Sequence, residues 1–171
     1  SSGQEVLSEL ISNPLISEHK PISTKKNAII LPFIDDFSGE SSQVNNNLWI
    51  QSSVFVNRSY PLNPPTIGAA TFDGLNAQGL AYSINISHPQ GDADTLLSQE
   101  IDVSNVDLDF FLFYYQPQGL GDNPQPEDSL ILEFKDVSGY WNKIWAKQGD
   151  TSYVFKKYVE IINNPIYLNN D

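Results

Sequence analysis

The chain of 171 residues carries 9 Lys and Arg against 21 Asp and Glu, a net charge of −12, and contains neither Cys nor Met. That charge argues against nucleic acid and anionic membranes as partners, because both reward positive side chains. No run of about 18 apolar residues is present to form a membrane-spanning helix, and a cysteine-free chain cannot build zinc fingers, iron–sulfur clusters or thiol chemistry.

The absent initiator Met marks a processed chain or a fragment, as a cleaved signal peptide would leave. A chain of this length buries roughly 70% of its unfolded surface without disulfide staples. Aromatic residues make up 12% and charged residues only 18%, with 11 Pro and 10 Gly punctuating short apolar runs. That is the composition of a β-sandwich rather than a helical bundle.

The amino-terminal segment is the exception. Ser2-Gly3-Gln4-Glu5 has capping-box spacing, and Val6, Leu7, Leu10 and Ile11 fall on one helical stripe before Asn13-Pro14 ends it. The pattern predicts a short helix over residues 3–12, followed by a polar, proline-punctuated tether over 14–27. Residues 1–27 therefore read as an appendage, a terminus or an arm that docks on a neighbouring domain, and residues 28–171 as the folded unit.

From Ala28 onward each apolar run is strand-like. Strands are predicted at 28–33, 48–51, 54–58, 69–72, 80–86, 95–101, 106–115, 129–135, 140–146 and 153–162. Several alternate with period two, as in Leu80, Tyr82, Ile84 and Ile86, or Leu130, Leu132 and Phe134. The run Phe110-Phe111-Leu112-Phe113-Tyr114-Tyr115 is apolar on both faces and predicts a central strand covered on both sides. About ten strands at roughly ten-residue spacing indicate an all-β, two-sheet antiparallel sandwich.

Catalytic chemistry finds little support. The two histidines, His19 and His88, lie in the tether and in a turn, and no Gly-x-Ser-x-Gly elbow presents a nucleophile. Asp107 and Asp109 have the alternating spacing of a glycosidase carboxylate pair, but at the start of a strand they fit a solvated edge better. The acid pairs Asp35-Asp36, Asp92-Ala93-Asp94 and Glu127-Asp128 offer the oxygen ligands calcium prefers, without an EF-hand pattern. Asp35, Asp36, Asp92 and Asp94 are thus candidate metal ligands. Exposed aromatic rings that could stack on sugars are Trp49, Trp141 and Trp145, with Tyr60 and Tyr140. Strict alternation would put Trp141 and Trp145 on one strand face, where they would form a platform or cover the core. The sequons at Asn57 and Asn85 are short matches of the kind chance produces.

Residues 32–162 resemble, in motif order, the MAM-like modules of the concanavalin-type jelly-roll class. The matching steps are Asp35-Asp36-Phe37, then Leu48-Trp49, then Ala70-Thr71-Phe72-Asp73-Gly74. Leu96-Leu97-Ser98 and Phe111-Leu112-Phe113-Tyr114-Tyr115 follow, and Asp128-Ser129-Leu130 with Trp141 to Trp145 completes the match. The wording Leu31-Pro32-Phe33-Ile34-Asp35-Asp36-Phe37-Ser38, Asn63-Pro64-Pro65-Thr66-Ile67-Gly68 and Tyr114-Tyr115-Gln116-Pro117-Gln118-Gly119 resembles large surface proteins of gliding Bacteroidetes. Those are exported by the type IX secretion route.

The resemblance implies a jelly-roll sandwich, a structural calcium near Asp35 or Asp36, and a location outside a Gram-negative cell. It implies a non-catalytic structural or adhesive module, with other domains, surface or secretion proteins, or glycans as partners. The alternatives are a carbohydrate-binding module or a glycan-active sandwich hydrolase. The animal modules carry disulfides and this chain has none; the family pattern also continues into further closing strands, so the sandwich is expected to lack its last strands.

Overall fold

The computed structural model describes residues 28–75, 93–104 and 109–168. The predicted helix at 3–12, the tether and the predicted strand at 80–86 lie outside these residues. So do His19, Asn85, His88, Asp92 and Asp107.

Among the described residues the fold is all-β, without helix. The strands are β1 (Ile29–Ile30), β2 (Trp49–Ser52), β3 (Phe55–Asn57), β4 (Ala69–Thr71) and β5 (Leu96–Ser98). They continue with β6 (Ile101–Asp102), β7 (Asp109–Tyr115), β8 (Ser129–Lys135), β9 (Trp141–Gln148) and β10 (Lys156–Ile162). They pair as five two-stranded ladders, β1–β6, β2–β5, β3–β4, β7–β10 and β8–β9.

Four ladders are antiparallel, as expected. The fifth departs from expectation: β1 runs parallel to β6, with Ile29 opposite Ile101 and Ile30 opposite Asp102. Local periodicity carries no information on such a long-range pairing, which is why it was not foreseen.

The two long ladders carry most of the regular structure. In β7–β10 the register runs from Asp109 opposite Ile162 to Tyr115 opposite Lys156. Asp109, Phe111, Phe113 and Tyr115 line one face and are half-buried, together with Lys156, Tyr158, Glu160 and Ile162. In β8–β9, Leu130, Leu132 and Phe134 form the half-buried row that the sequence predicts.

The two ribbons meet through aromatic rings. Trp145 of β9 packs against Tyr158 at 4.9 Å, Tyr115 at 5.1 Å and Phe113 at 5.4 Å between ring centroids. Phe134 of β8 meets Phe111 edge-on at 5.7 Å and Tyr167 at 5.6 Å. Edge-to-face geometry at these separations adds to the stabilisation from burial alone.

The sequence makes β7 a strand covered on both sides; among the described residues the aromatic layer covers one of them. Phe110, Leu112 and Tyr114, with Val159 and Ile161 across the ladder, form an outer row between 42% and 60% exposed. The alternation puts half of the apolar run into the aromatic layer and the other half outside it.

The best-buried apolar side chains among the described residues lie elsewhere, at Val54, Phe55, Val56, Leu75 and Leu168. Asn57, buried at the end of β3, donates from Nδ2 to Thr71 Oγ1 at 2.6 Å, while its Oδ1 accepts the Tyr60 N–H at 2.9 Å. An amide so enclosed is unavailable for glycosylation in the folded chain.

Candidate functional site

Three groups of candidate residues are placed by the fold: the opening acidic loop, the Asp94 loop, and the aromatic residues of β9.

In the opening loop, Asp35 Oδ1 accepts the Phe37 N–H at 2.8 Å, closing an Asx turn. Its Oδ2 accepts the indole Nε1–H of Trp49 at 2.7 Å. Phe33 packs edge-on to Trp49 at 5.3 Å, and Phe37 stacks on it at 6.2 Å with an interplanar angle of 15°. Phe37 has φ of 52°, in the left-handed region that bulky residues seldom occupy. The Asx hydrogen bond and the ring stack hold it there.

Asp36 Oδ1 accepts the Ser38 N–H, and the Asp36 carbonyl accepts the Gly68 N–H at 3.0 Å. Gly68 is required at that point, since a Cβ there would overlap the Phe37 carbonyl oxygen. Asp35-Asp36-Phe37 and Trp49, widely separated in the sequence, are thus parts of one clasp. Both carboxylate oxygens of Asp35 receive N–H donors, the surroundings of a structural anion. Beside the clasp, a shallow groove of about 450 Å³ runs between Glu40, Ser41, Ser42 and Arg58. Arg58 Nη2 closes its rim by donating to the Ser38 carbonyl at 2.6 Å.

Asp94 lies far from the opening loop in sequence and serves a different turn. Its Oδ2 accepts the Gly74 N–H at 2.8 Å, next to Asp73, whose Oδ1 accepts the Leu75 N–H. The structure therefore ties the Asp94 loop to the Asp73-Gly74 turn. Among the described residues no three acidic or histidine side chains converge as a ready-made metal cage. Asp128 is likewise built into a turn, with Oδ2 accepting the Gln125 N–H. Asp109 Oδ1 accepts the Phe110 N–H at the start of β7.

The shared face expected for Trp141 and Trp145 does not form. Glu133 pairs with Lys143, but the next residue along β8, Leu132, pairs with Trp145, so Ile144 is an extra residue in β9. Such a bulge inverts the alternation beyond it. Trp141 faces outward and is 49% exposed, with Lys135 Nζ 5.8 Å from its ring centroid. Trp145, past the bulge, turns into the aromatic layer. An adjacent Ile-Trp pair reads the same with or without the bulge, so periodicity alone could not detect it.

Tyr140, 72% exposed, stands beside Trp141 at the tip of the β8–β9 hairpin. Asp136 organises that tip. Its Oδ1 accepts the N–H groups of Ser138 and Tyr140, each at 2.9 Å, and its Oδ2 accepts Asn142 Nδ2 at 3.0 Å. The Asn142 amide, then the Tyr140 N–H, hold the Asp136 carboxyl below its ordinary value. Gly139, at φ of 88°, supplies the left-handed residue of the turn.

Sequence reasoning did not single out Asp136 or Gln116. Gln116 joins three segments. Its Nε2 donates to the Leu62 and Tyr153 carbonyls at 3.0 and 2.6 Å, and its Oε1 accepts the Leu62 N–H at 3.0 Å. Gln116 of the Tyr-Tyr-Gln-Pro wording thus grips Leu62, the residue just before Asn63-Pro64-Pro65, and no local pattern signals that contact.

Comparison with protein-family models, with curated proteins and with solved structures finds no match for this chain.

Proposed function

We propose that this chain is a non-catalytic, extracellular structural or adhesive module of a large exported bacterial surface protein, folded as a jelly-roll sandwich. The observation that carries this reading is the aromatic filling between β7–β10 and β8–β9. Phe111, Phe113, Tyr115, Phe134, Trp145 and Tyr158 fill the space between the two long ribbons with packed rings, the core a structural sandwich needs. The described acids fit the same reading, for Asp35, Asp94, Asp128 and Asp136 each cap a turn or clasp. The resemblance to MAM-like modules of type IX-secreted proteins supports the cellular setting, with neighbouring domains or surface proteins as partners.

The competing hydrolase is tested directly. On this reading neither the parent chain nor the Asp107→Asn, Asp109→Asn double variant is expected to cleave polysaccharide. Cleavage by the parent that is lost in the double variant would overturn the proposal.

A second reading, carbohydrate binding, is favoured by one observation: Tyr140 and Trp141 stand exposed together at a rigid hairpin tip. Glycan-array signal lost on Trp141→Ala and retained on Trp145→Phe would establish it. Absence of signal from the parent chain would remove it.

Calcium belongs to the proposal through Asp35 and Asp36, with Asp92 and Asp94 as the other candidates. An ion bound only by the native state raises the melting temperature. A melting temperature unmoved by chelator would therefore eliminate calcium while leaving the structural role standing.

A further inference from the structure

The outer face of β8–β9 gathers cations around one ring. Between the hairpin tip and the bulge, the ladder sets Lys135 opposite Trp141 and Glu133 opposite Lys143. All four side chains are exposed on that face. Lys135 Nζ lies 5.8 Å from the Trp141 ring centroid, and Lys143 follows Trp141 by two residues, a rise of about 7 Å along the strand.

Other cations of the fold are occupied with protein groups. Lys147 and Lys156 pair with Asp150 at 3.5 and 2.9 Å, and Arg58 donates to the Ser38 and Gly39 carbonyls. Among the described residues Lys135 and Lys143 enter no ion pair, although the chain holds 21 acids for 9 cations. Two ammonium groups beside an exposed indole, in a chain of net charge −12, make a local positive spot that complements an anion.

The mixture of groups narrows the ligand. A face that docks protein is a contiguous apolar patch, as the outer row of β7–β10 is. Trp141 is instead bordered by Lys135, Lys143 and Glu133, with Tyr140 next to it at the tip. A sugar ring offers an apolar face to an indole and a rim of hydroxyls to the polar groups around it. Glu133 supplies an acceptor for such a hydroxyl, and the two lysines call for a carboxylate on the sugar.

The site is also held ready. Asp136 accepts from the Ser138 and Tyr140 N–H groups and from Asn142 Nδ2, and the Val137 N–H donates to the Ile166 carbonyl at 3.0 Å. A tip fixed in advance loses little freedom when a ligand arrives.

We infer that the ligand of this tip is a uronate-bearing glycan: Trp141 takes the face of a sugar ring, and Lys135 and Lys143 take its carboxylate. The assignment rests on the carbohydrate-binding reading and names the class of sugar that reading leaves open.

The full chain is assayed against polygalacturonate, alginate and glucuronoxylan, each beside the same polymer with its carboxylates reduced to alcohols. Circular dichroism verifies the fold of every variant. The expected result is that an acidic polymer binds and its reduced form binds about fivefold more weakly. Lys135→Gln with Lys143→Gln should bring the same loss, Trp141→Ala should abolish binding, and Lys157→Gln, on the outer face of β7–β10, should leave it unchanged. Equal binding of acidic and reduced polymers would overturn the inference while carbohydrate binding stood, whereas binding of no polymer would remove both. Binding that survives Trp141→Ala, or that Lys157→Gln weakens as much as the paired lysine change does, would overturn it in favour of diffuse attraction. Binding of polyglutamate in place of any sugar polymer would overturn it in favour of an acidic protein partner.

Discussion

Replacing Trp145 and Trp141 separately by alanine measures what the bulge at Ile144 does. Trp145 touches Phe113, Tyr115 and Tyr158 with ring centroids between 4.9 and 5.4 Å. Removing a core tryptophan costs about 3–5 kcal/mol, and the half-buried position of Trp145 puts the expectation at about 3 kcal/mol. Trp141 is 49% exposed and makes one cation–π contact with Lys135, a loss of about 0.5–1 kcal/mol. The assay is equilibrium unfolding in urea followed by far-UV circular dichroism, which does not depend on tryptophan emission. With a slope of about 2 kcal/mol per molar urea, Trp145→Ala moves the midpoint down by about 1.5 M and Trp141→Ala by less than about 0.5 M. Trp145→Phe keeps a ring in the layer and recovers part of the loss. Equal shifts for the two alanine variants, or a larger one for Trp141→Ala, would refute the assignment of the two rings to opposite faces.

Asp35→Ala removes both acceptors of the clasp and is expected to cost about 2 kcal/mol, with Asp35→Asn costing less because one acceptor remains; urea midpoints of the two variants check the order. Gly149→Ala would drive a Cβ into the Gln125 carbonyl oxygen, whereas Gly121 has open space around it. The first should cost about 1–3 kcal/mol and the second close to nothing, read from melting temperatures. Acid titration probes Asp136, lowered mainly by the Asn142 amide, and Asp150, lowered mainly by Lys156 and then by the Ser152 N–H. A carboxyl with a depressed folded value contributes fully above its unfolded value and loses that contribution as pH falls through the folded one. Stability should therefore fall below about pH 4, and Asn142→Ala should flatten the fall. Tyr158 moves the other way. Its hydroxyl donates to Glu160, which raises its value, so its contribution is full below about pH 10 and lost above. Tyrosinate absorbance should show one late titration that Glu160→Gln brings earlier.

Several elements were legible because one side of a ribbon is buried and the other is not. Residues 129–135 alternate strictly, and β8 occupies Ser129–Lys135. The acid-aromatic opening and the distant tryptophan were also legible as a pattern, and the structure joins them through the indole N–H and a backbone N–H that Asp35 accepts. What stayed hidden depends on partners far away in the chain. The parallel pairing of Ile29 with Ile101 leaves no local trace, and neither does the insertion of Ile144 between two apolar neighbours. Gln116 and Asp136 were overlooked for a related reason. A single amide or acid in a Pro- and Gly-rich loop looks like solvent-facing filler until the carbonyls and N–H groups around it are placed.

The two-residue ladder between β1 and β6 has a mechanical meaning. Among the described residues, tension applied through the amino-terminal segment enters the fold at Ile29 and Ile30, where that short parallel pairing and the Ile29 N–H bond to the Glu100 carbonyl meet it. The next restraint inward is the grip of Asp35 and the flanking phenylalanines on Trp49. Under load the chain would surrender slack in two small steps before the long ribbons feel any pull, much as a seam is sewn to give before the cloth tears.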